Sequence, residues 1–312
     1  MALSRRDFLA SSVAAVAIGA AGRRALAWQQ QPAPITPVFT PIRRNVGFFT
    51  GRGGTIGYLT DPKAIVTVDS QFPDSAKLFI DGLAAQTSNR PIDLLINTHH
   101  HGDHTGGNSA FKGVAKNILA HERAVVLQKE TYDRAVEAAK SNPNATPPAE
   151  PVYANKTVGA VWREQFGDEW VRTTYYGPAH TGGDVAITFE RANVAHLGDL
   201  MFNRREPVLD RPGGTNVGNW IKMLGKVPGD HSADTIFIFG HAGAKFPLTG
   251  NRADVEVLRN YLTTLMEFVR AQRTAGKTKE EVAAMTGPLK GFEEHGNLTA
   301  RTLNAVFDEL AG

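Results

Sequence analysis

Four imidazoles and a carboxylate fall within six positions at His99-His100-His101-Gly102-Asp103-His104. The chain has no cysteine, so it offers no disulfide, no Fe–S cluster and no thiolate ligand. Any metal must be held by nitrogen and oxygen donors, and imidazole with carboxylate is the set zinc takes when sulfur is absent. His99 and His101, two apart, can converge on one ion from a bend. Asp103 and His104, next in line, face a second ion beside it. More candidates stand at the ends of apolar runs: Asp69, His180, Asp199 and His241. Loops at strand tips are where sheet proteins with helices gather ligands.

Those positions require strands behind them. The run Leu94-Leu95-Ile96 reads as the end of a buried strand over 92–96 that feeds the histidine loop. Period-2 and apolar runs place further strands at 46–50, 55–60, 64–68, 117–120, 162–166, 170–176, 185–189, 193–197 and 235–239. Glycines at 51, 53 and 54 and the Gly167-Asp168-Glu169 stretch read as hairpin turns. Helical spacing covers 73–85, 108–111, 122–140, 217–227, 252–273, 279–285 and 298–310. The Pro-rich stretch 142–151 and the long stretch 203–218 read as loops. Strands and helices therefore interleave, and helices dominate after 251. The string His-Thr-Gly-Gly occurs twice, at 104–107 and 180–183. A sandwich of two αβ halves accounts for both copies, although four residues are too few to establish duplication.

At 312 residues, 42% apolar and 21% charged, the chain has the composition of an ordinary globular protein with ample core. Its formal charge of +3 is carried wholly by the first 27 residues, where Arg5, Arg6, Arg23 and Arg24 face only Asp7. The remainder is neutral, which gives no argument for nucleic-acid binding. Ser4-Arg5-Arg6-Asp7-Phe8-Leu9 resembles the twin-arginine export motif. An Ala-rich apolar stretch follows, and Ala25-Leu26-Ala27 suits signal cleavage. Residues 1–27 are thus expected to be an export peptide, and the product to be periplasmic or secreted with no membrane span after cleavage. Residues 28–44 read as a linker or N-terminal arm.

With His180, Asp199 and His241 following in order, the H-x-H-x-D-H string resembles the metallo-β-lactamase superfamily over roughly residues 45–245. The resemblance implies an α/β fold, a four-layer αβ/βα sandwich over 45–250, with extra C-terminal helices at 251–312 packed on the same domain. It implies that His99, His101 and His180 bind one zinc ion and that Asp103, His104 and His241 bind a second. Asp199 would bridge the two, and Asp69 would fix the histidine loop through hydrogen bonds. A hydroxide shared by the two ions would attack the carbonyl of a small-molecule ester, thioester, lactone or β-lactam. Asp103 would orient it and accept its proton. Departures from the pattern narrow the branch. His101 stands where flavo-diiron oxidoreductases carry Glu, and the absence of cysteine excludes the single-cysteine lactamase subclass. A mononuclear iron oxidoreductase resembling persulfide dioxygenases, using His99, His180 and Asp199, is the second reading. A non-catalytic periplasmic metal-binding accessory protein is the third.

The other polar and aromatic candidates take plainer roles. His100 is expected to point away from the metals. His121 and His196 are expected to be structural, His231 and His295 to lie on the surface. Trp162, Trp170 and Trp220 read as packing. Arg204 and Arg205, on the loop after Asp199, and Tyr176, just before His180, are candidate substrate contacts.

Overall fold

The computed structural model describes residues 34–142 and 144–312. The export peptide expected at 1–27 lies outside them. Strands β1 Val38–Arg43, β2 Val46–Thr50, β3 Ile56–Asp61, β4 Ala64–Val68, β5 Leu94–Ile96, β6 Ile118–His121 and β7 Lys156–Val158 form a first sheet in sequence order. Pairing is antiparallel from β1 to β4 and parallel from β4 to β7, so β4, β5 and β6 send their C-terminal ends to one edge. The register Val68↔Ile96 puts Asp69 level with the residues that follow β5.

The second sheet uses β8 Val161–Phe166, β9 Glu169–Tyr175, β10 Val185–Phe189, β11 Val194–His196, β13 Ile236–Ile238 and β15 Thr249–Gly250, in the order β15-β13-β11-β10-β9-β8. Between them β12 Phe202–Asn203 pairs in parallel with β14 His241–Ala242. β4, β5 and β10 are buried along their whole length and correspondingly apolar, because both faces are covered.

One cluster joins the inner faces of the two sheets, with Val66, Val68, Leu94 and Ile96 against Val185, Ile187, Phe189 and Val194. A second packs the outer face of the first sheet on α1 Pro73–Gln86 through Phe79 and Leu83, and on Phe111. The third packs the outer face of the second sheet on α5 Val217–Lys226, α6 Arg252–Thr274 and α8 Ala300–Glu309. Helix, sheet, sheet, helix is the four-layer arrangement expected of the sequence. Between α1 and α5 lie two short helices, α2 Gly102–Thr105 and α3 Asn108–Phe111, and the longer α4 Glu122–Lys140. A five-residue helix, α7 Lys279–Ala283, separates α6 from α8.

One boundary differs from expectation. The arm read at 28–44 is a strand from Val38 onward: Phe39 stacks on Phe79 at 5.6 Å and meets Phe49 at 4.9 Å. Pro41 hid this, but an edge strand accepts proline because one side of its ladder is unpaired. The helices after 251 share one apolar cluster with Trp220, Phe237 and Phe239 of the sandwich rather than a core of their own. A capping box between Asn251 and Asp254 starts α6. No described helix is long and apolar enough to cross a membrane.

Candidate metal centre

The histidine loop begins where β5 ends. Asn97 N donates to Leu119 O at 2.8 Å, and Val185 N donates to Thr98 O at 2.9 Å, so the loop is stitched to both sheets. Asp69 then fixes it from below. Its backbone sits at φ 65°, a left-handed conformation that Asp tolerates better than most residues. Its buried carboxylate accepts from Thr98 N at 2.7 Å, from Thr98 Oγ1 at 2.8 Å and from His104 Nδ1 at 2.7 Å. These bonds also set tautomers. A carboxylate only accepts, so His104 carries its proton on Nδ1 and presents Nε2 inward. Thr98 Oγ1 spends its one proton on Asp69 and accepts from His99 Nδ1 at 3.0 Å. His99 Nε2 is therefore a bare lone pair.

Those lone pairs converge with others. His99, His101, His180 and Asp199 each place one donor atom within 4.8 Å of the rest, as do Asp103, His104 and His241. His101 Nδ1 lies 3.0 Å from His180 Nε2, and His241 Nε2 lies 3.0 Å from Asp103 Oδ2. Asp199 stands between the sets: Oδ1 is 3.0 Å from His104 Nε2, while Oδ2 is 3.4 Å from His180 Nε2 and 3.5 Å from His241 Nε2. Buried polar atoms are nearly always paired. Here His99 Nε2 and Asp199 Oδ1 are buried without a hydrogen-bond partner, which suits cation ligands. Two glycines make room. A Cβ on Gly54 would overlap the His104 imidazole, and one on Gly240 would overlap the Asp199 carboxylate.

The electrostatics favour the protonation states metal ligands need. Burial, aided by neighbouring imidazoles, pushes His180 down to about 3 and His99 well below the ordinary histidine value. Both are neutral donors at pH 7. Burial opposes charge on Asp199 and Asp103, but the imidazoles around them prevail. Asp199 is held well below the usual carboxylate range, and Asp103 at about 2 chiefly through His241. His104 is the exception: burial disfavours its charge, yet Asp199 and Asp69 raise its pKa well above normal. A cation at Nε2 would take the place of that proton.

Asp210 is a partner that the sequence reading missed. Its Oδ2 accepts from His101 Nε2 at 2.9 Å, which leaves Nδ1 free to face His180. Asp210 N donates to Thr215 Oγ1 at 2.7 Å and its carbonyl accepts from Thr215 N at 3.0 Å, so the turn Asp210-Arg211-Pro212-Gly213-Gly214 is closed on itself. That Pro-Gly-Gly turn was the available signal. Trp220 also does more than fill space: its ring meets His180 at 5.5 Å, and Nε1 donates to Leu200 O at 2.9 Å.

The remaining candidates divide. Arg205 lines the cavity over the metal centre, about 380 Å³, together with Asp103, Asp199, His241 and Arg301 from α8. Arg204 does not: its guanidinium pairs with Asp254 at 2.9 Å and lies over Phe246, tying the loop to α6. Tyr176 packs against the helix–sheet core instead of lining that cavity. His100 belongs to neither of these two sets, yet it is buried with Nε2 3.6 Å from Asp210, and with His101 and Asp210 it forms a third group of convergent donor atoms. His121 caps α4 and stacks on Tyr175 at 4.0 Å, and His196 Nε2 reaches Thr55 O at 3.1 Å. His295 is not a surface residue: it is buried and stacked on Tyr261 at 4.3 Å. His231 is half-buried, its Nδ1 2.9 Å from Val227 O.

A family model described as the metallo-β-lactamase superfamily matches residues 50–257. The chain is 24% identical over 211 residues to metallo-β-lactamase IND-1 of Chryseobacterium indologenes, covering 64% of this chain and 80% of that one. It is 26% identical over 140 residues to the 2,4-dinitroanisole O-demethylase subunit alpha of Nocardioides sp. (strain JS1661), covering 44% of this chain but only 38% of that protein. In shape it matches the stereoselective inverting sec-alkylsulfatase Pisa1 from Pseudomonas sp. with a TM-score of 0.66 at 14% identity, over 88% of this chain and 50% of the sulfatase. At that identity the likeness is one of fold.

Proposed function

The chain belongs to the metallo-β-lactamase superfamily, and on that premise we propose that it is a hydrolase with a binuclear zinc centre. His99, His101 and His180 would hold one ion and Asp103, His104 and His241 the other, with the Asp199 carboxylate between the two sets. The observation that carries this reading is the Asp199 carboxylate, 3.0 Å from His104 and 3.4 Å from His180. A single-ion iron oxidoreductase built on His99, His180 and Asp199 leaves Asp103, His104 and His241 without a task.

Zinc bound there supplies a Lewis acid that lowers the pKa of water and polarises a substrate carbonyl. The protein's own groups do the rest. Asp69 and Asp210 hold His104 and His101 in the tautomers that face the ions. Asp103, ionised and with 30% of its side chain exposed toward the cavity, orients the attacking water and accepts its proton. Arg205 and Arg301 place positive charge along the cavity wall. The substrates this arrangement suits are esters, thioesters, lactones and β-lactams, the last supported by the relation to IND-1. The twin-arginine motif at Arg5-Arg6 supports release to the periplasm or beyond, and the C-terminal helices are read as part of the same domain.

The test is a substrate panel run on protein stripped of metal and reloaded with zinc, alongside Asp103→Ala. Turnover should disappear on stripping and return with zinc. The folded Asp103→Ala protein should lose it by at least about 100-fold, the lower end of what positioned acid–base groups contribute. Full activity in that variant removes Asp103 from the mechanism.

A further inference from the structure

A second cavity, of about 310 Å³, opens beside the metal centre. His100, Thr105 and Gln128 are its buried lining residues, and Tyr132, Pro148 and Val152 are half-buried around them. It adjoins the metal cavity at Gly102, which lines both. A Cβ built on Gly102 would meet nothing within 4 Å, so no side chain closes the space at that point. The two chambers differ in character. The metal cavity is lined by Asp103, Asp199, Asp210, Arg205 and Arg301 beside Phe202 and Val208, whereas the second is walled chiefly by proline, valine, a tyrosine ring and helix methyl groups, with Glu150 at its exposed rim.

His100 gives the second chamber a polar point. Only 1% of its side chain is exposed, and neither ring nitrogen has a hydrogen-bond partner. Nε2 faces the Asp210 carboxylate at 3.6 Å, beyond a good hydrogen bond, and Nδ1 has no neighbour to bond. Burying an imidazole in this way is costly, and Nδ1 is left as the polar atom that a bound group can satisfy. Small-molecule sites have this composition, mostly apolar with a few placed polar groups, at volumes from about 300 Å³ upward.

Resting on the hydrolase reading, we propose that this chamber receives the short acyl chain or single ring of the substrate, with the scissile carbonyl on the metal side of Gly102. The enzyme would then prefer esters or amides of medium-length apolar acids over acetyl compounds. A charged wall selects against such groups in the metal cavity itself, so the chamber is the place where they gain.

The experiment compares 4-nitrophenyl acetate, butyrate and hexanoate on the zinc-loaded protein. Burial of each methylene is expected to raise kcat/KM by about fourfold, the equivalent of ~0.8 kcal/mol. Ser109→Trp and Ala149→Trp, at the exposed rim of the chamber, should each cut the hexanoate-to-acetate ratio at least tenfold. Calorimetric binding of hexanamide against acetamide to the same proteins reads the chamber without turnover, and the hexanamide preference should vanish in both variants. A flat chain-length profile, or a preference that survives both tryptophans, overturns the proposal. If no ester is cleaved while hexanamide still binds selectively, the hydrolase reading fails, the chamber remains an apolar site, and its role for a substrate is lost.

Discussion

The two ligand sets are backed by two carboxylates of unequal standing. Asp69 behind Asp103, His104 and His241 is fully buried and receives three hydrogen bonds, two from Thr98 and one from His104. Asp210 behind His99, His101 and His180 is 15% exposed, sits on a loop closed by Thr215, and takes one direct bond from His101. Burial works against its charge, but the imidazoles of His100 and His101 hold its carboxyl below the usual range. One side of the centre is therefore built into the junction of the sheets. The other is held by a surface turn, and Asp210 itself lines the cavity over the metal centre.

That contrast can be broken by exchanging the two carboxylates for alanine. Asp69→Ala should have the larger effect. It strands the buried Thr98 N–H and leaves His104 free to rotate, costing about 1–3 kcal/mol in thermal or urea unfolding. It should also weaken the second ion by about 10–100-fold, measured by chelator competition. Asp210→Ala should weaken the first ion toward the low end of that range and leave the unfolding midpoint nearly unchanged, since water can reach and replace a carboxylate on this surface turn. Equal effects from the two substitutions would erase the distinction drawn above.

His295 sharpens the comparison from outside. It is a buried imidazole without a hydrogen-bond partner on either ring nitrogen, with Tyr261 stacked against its face and Phe292 edge-on at 5.5 Å. Burial pushes its pKa down to about 4. A depressed histidine contributes stability above its unfolded value, near 6.5, and loses it as pH falls through about 4. His295→Phe keeps the stack and removes the titration. Its unfolding midpoint should fall less than that of the parent between pH 7 and pH 4.5, with metal content unchanged.

The same split governs what the sequence reveals. Residues 98–104 announce themselves because ligand types and spacing are local, and the strand feeding them is a plain apolar run. Asp69, His180, Asp199 and His241 follow from their places at strand ends. Asp210 does not, because its contact with His101 spans 109 residues and depends on how one turn folds back. Arg301 reaches the cavity only because α8 packs beside the loop that holds Arg205, and no periodicity encodes that. His295 looked solvated beside Glu293, Glu294 and Gly296, yet it stacks on Tyr261 in α6. The two His-Thr-Gly-Gly strings also part company. The first lies in the turn of α2, with Thr105 Oγ1 donating to His101 O, while the second is bent around Asp184, whose carboxylate accepts from Thr181 N and Oγ1. Identical residues serve two backbones, so the string does not mark a repeated unit.

The central claim is that seven side chains hold two ions with Asp199 between them. Zinc content per chain, measured on exchange-dialysed protein and on its His241→Ala variant, tests it most directly. Two tightly bound zinc ions are expected in the parent and one in the variant. One ion in both, or a single iron in the parent, contradicts it.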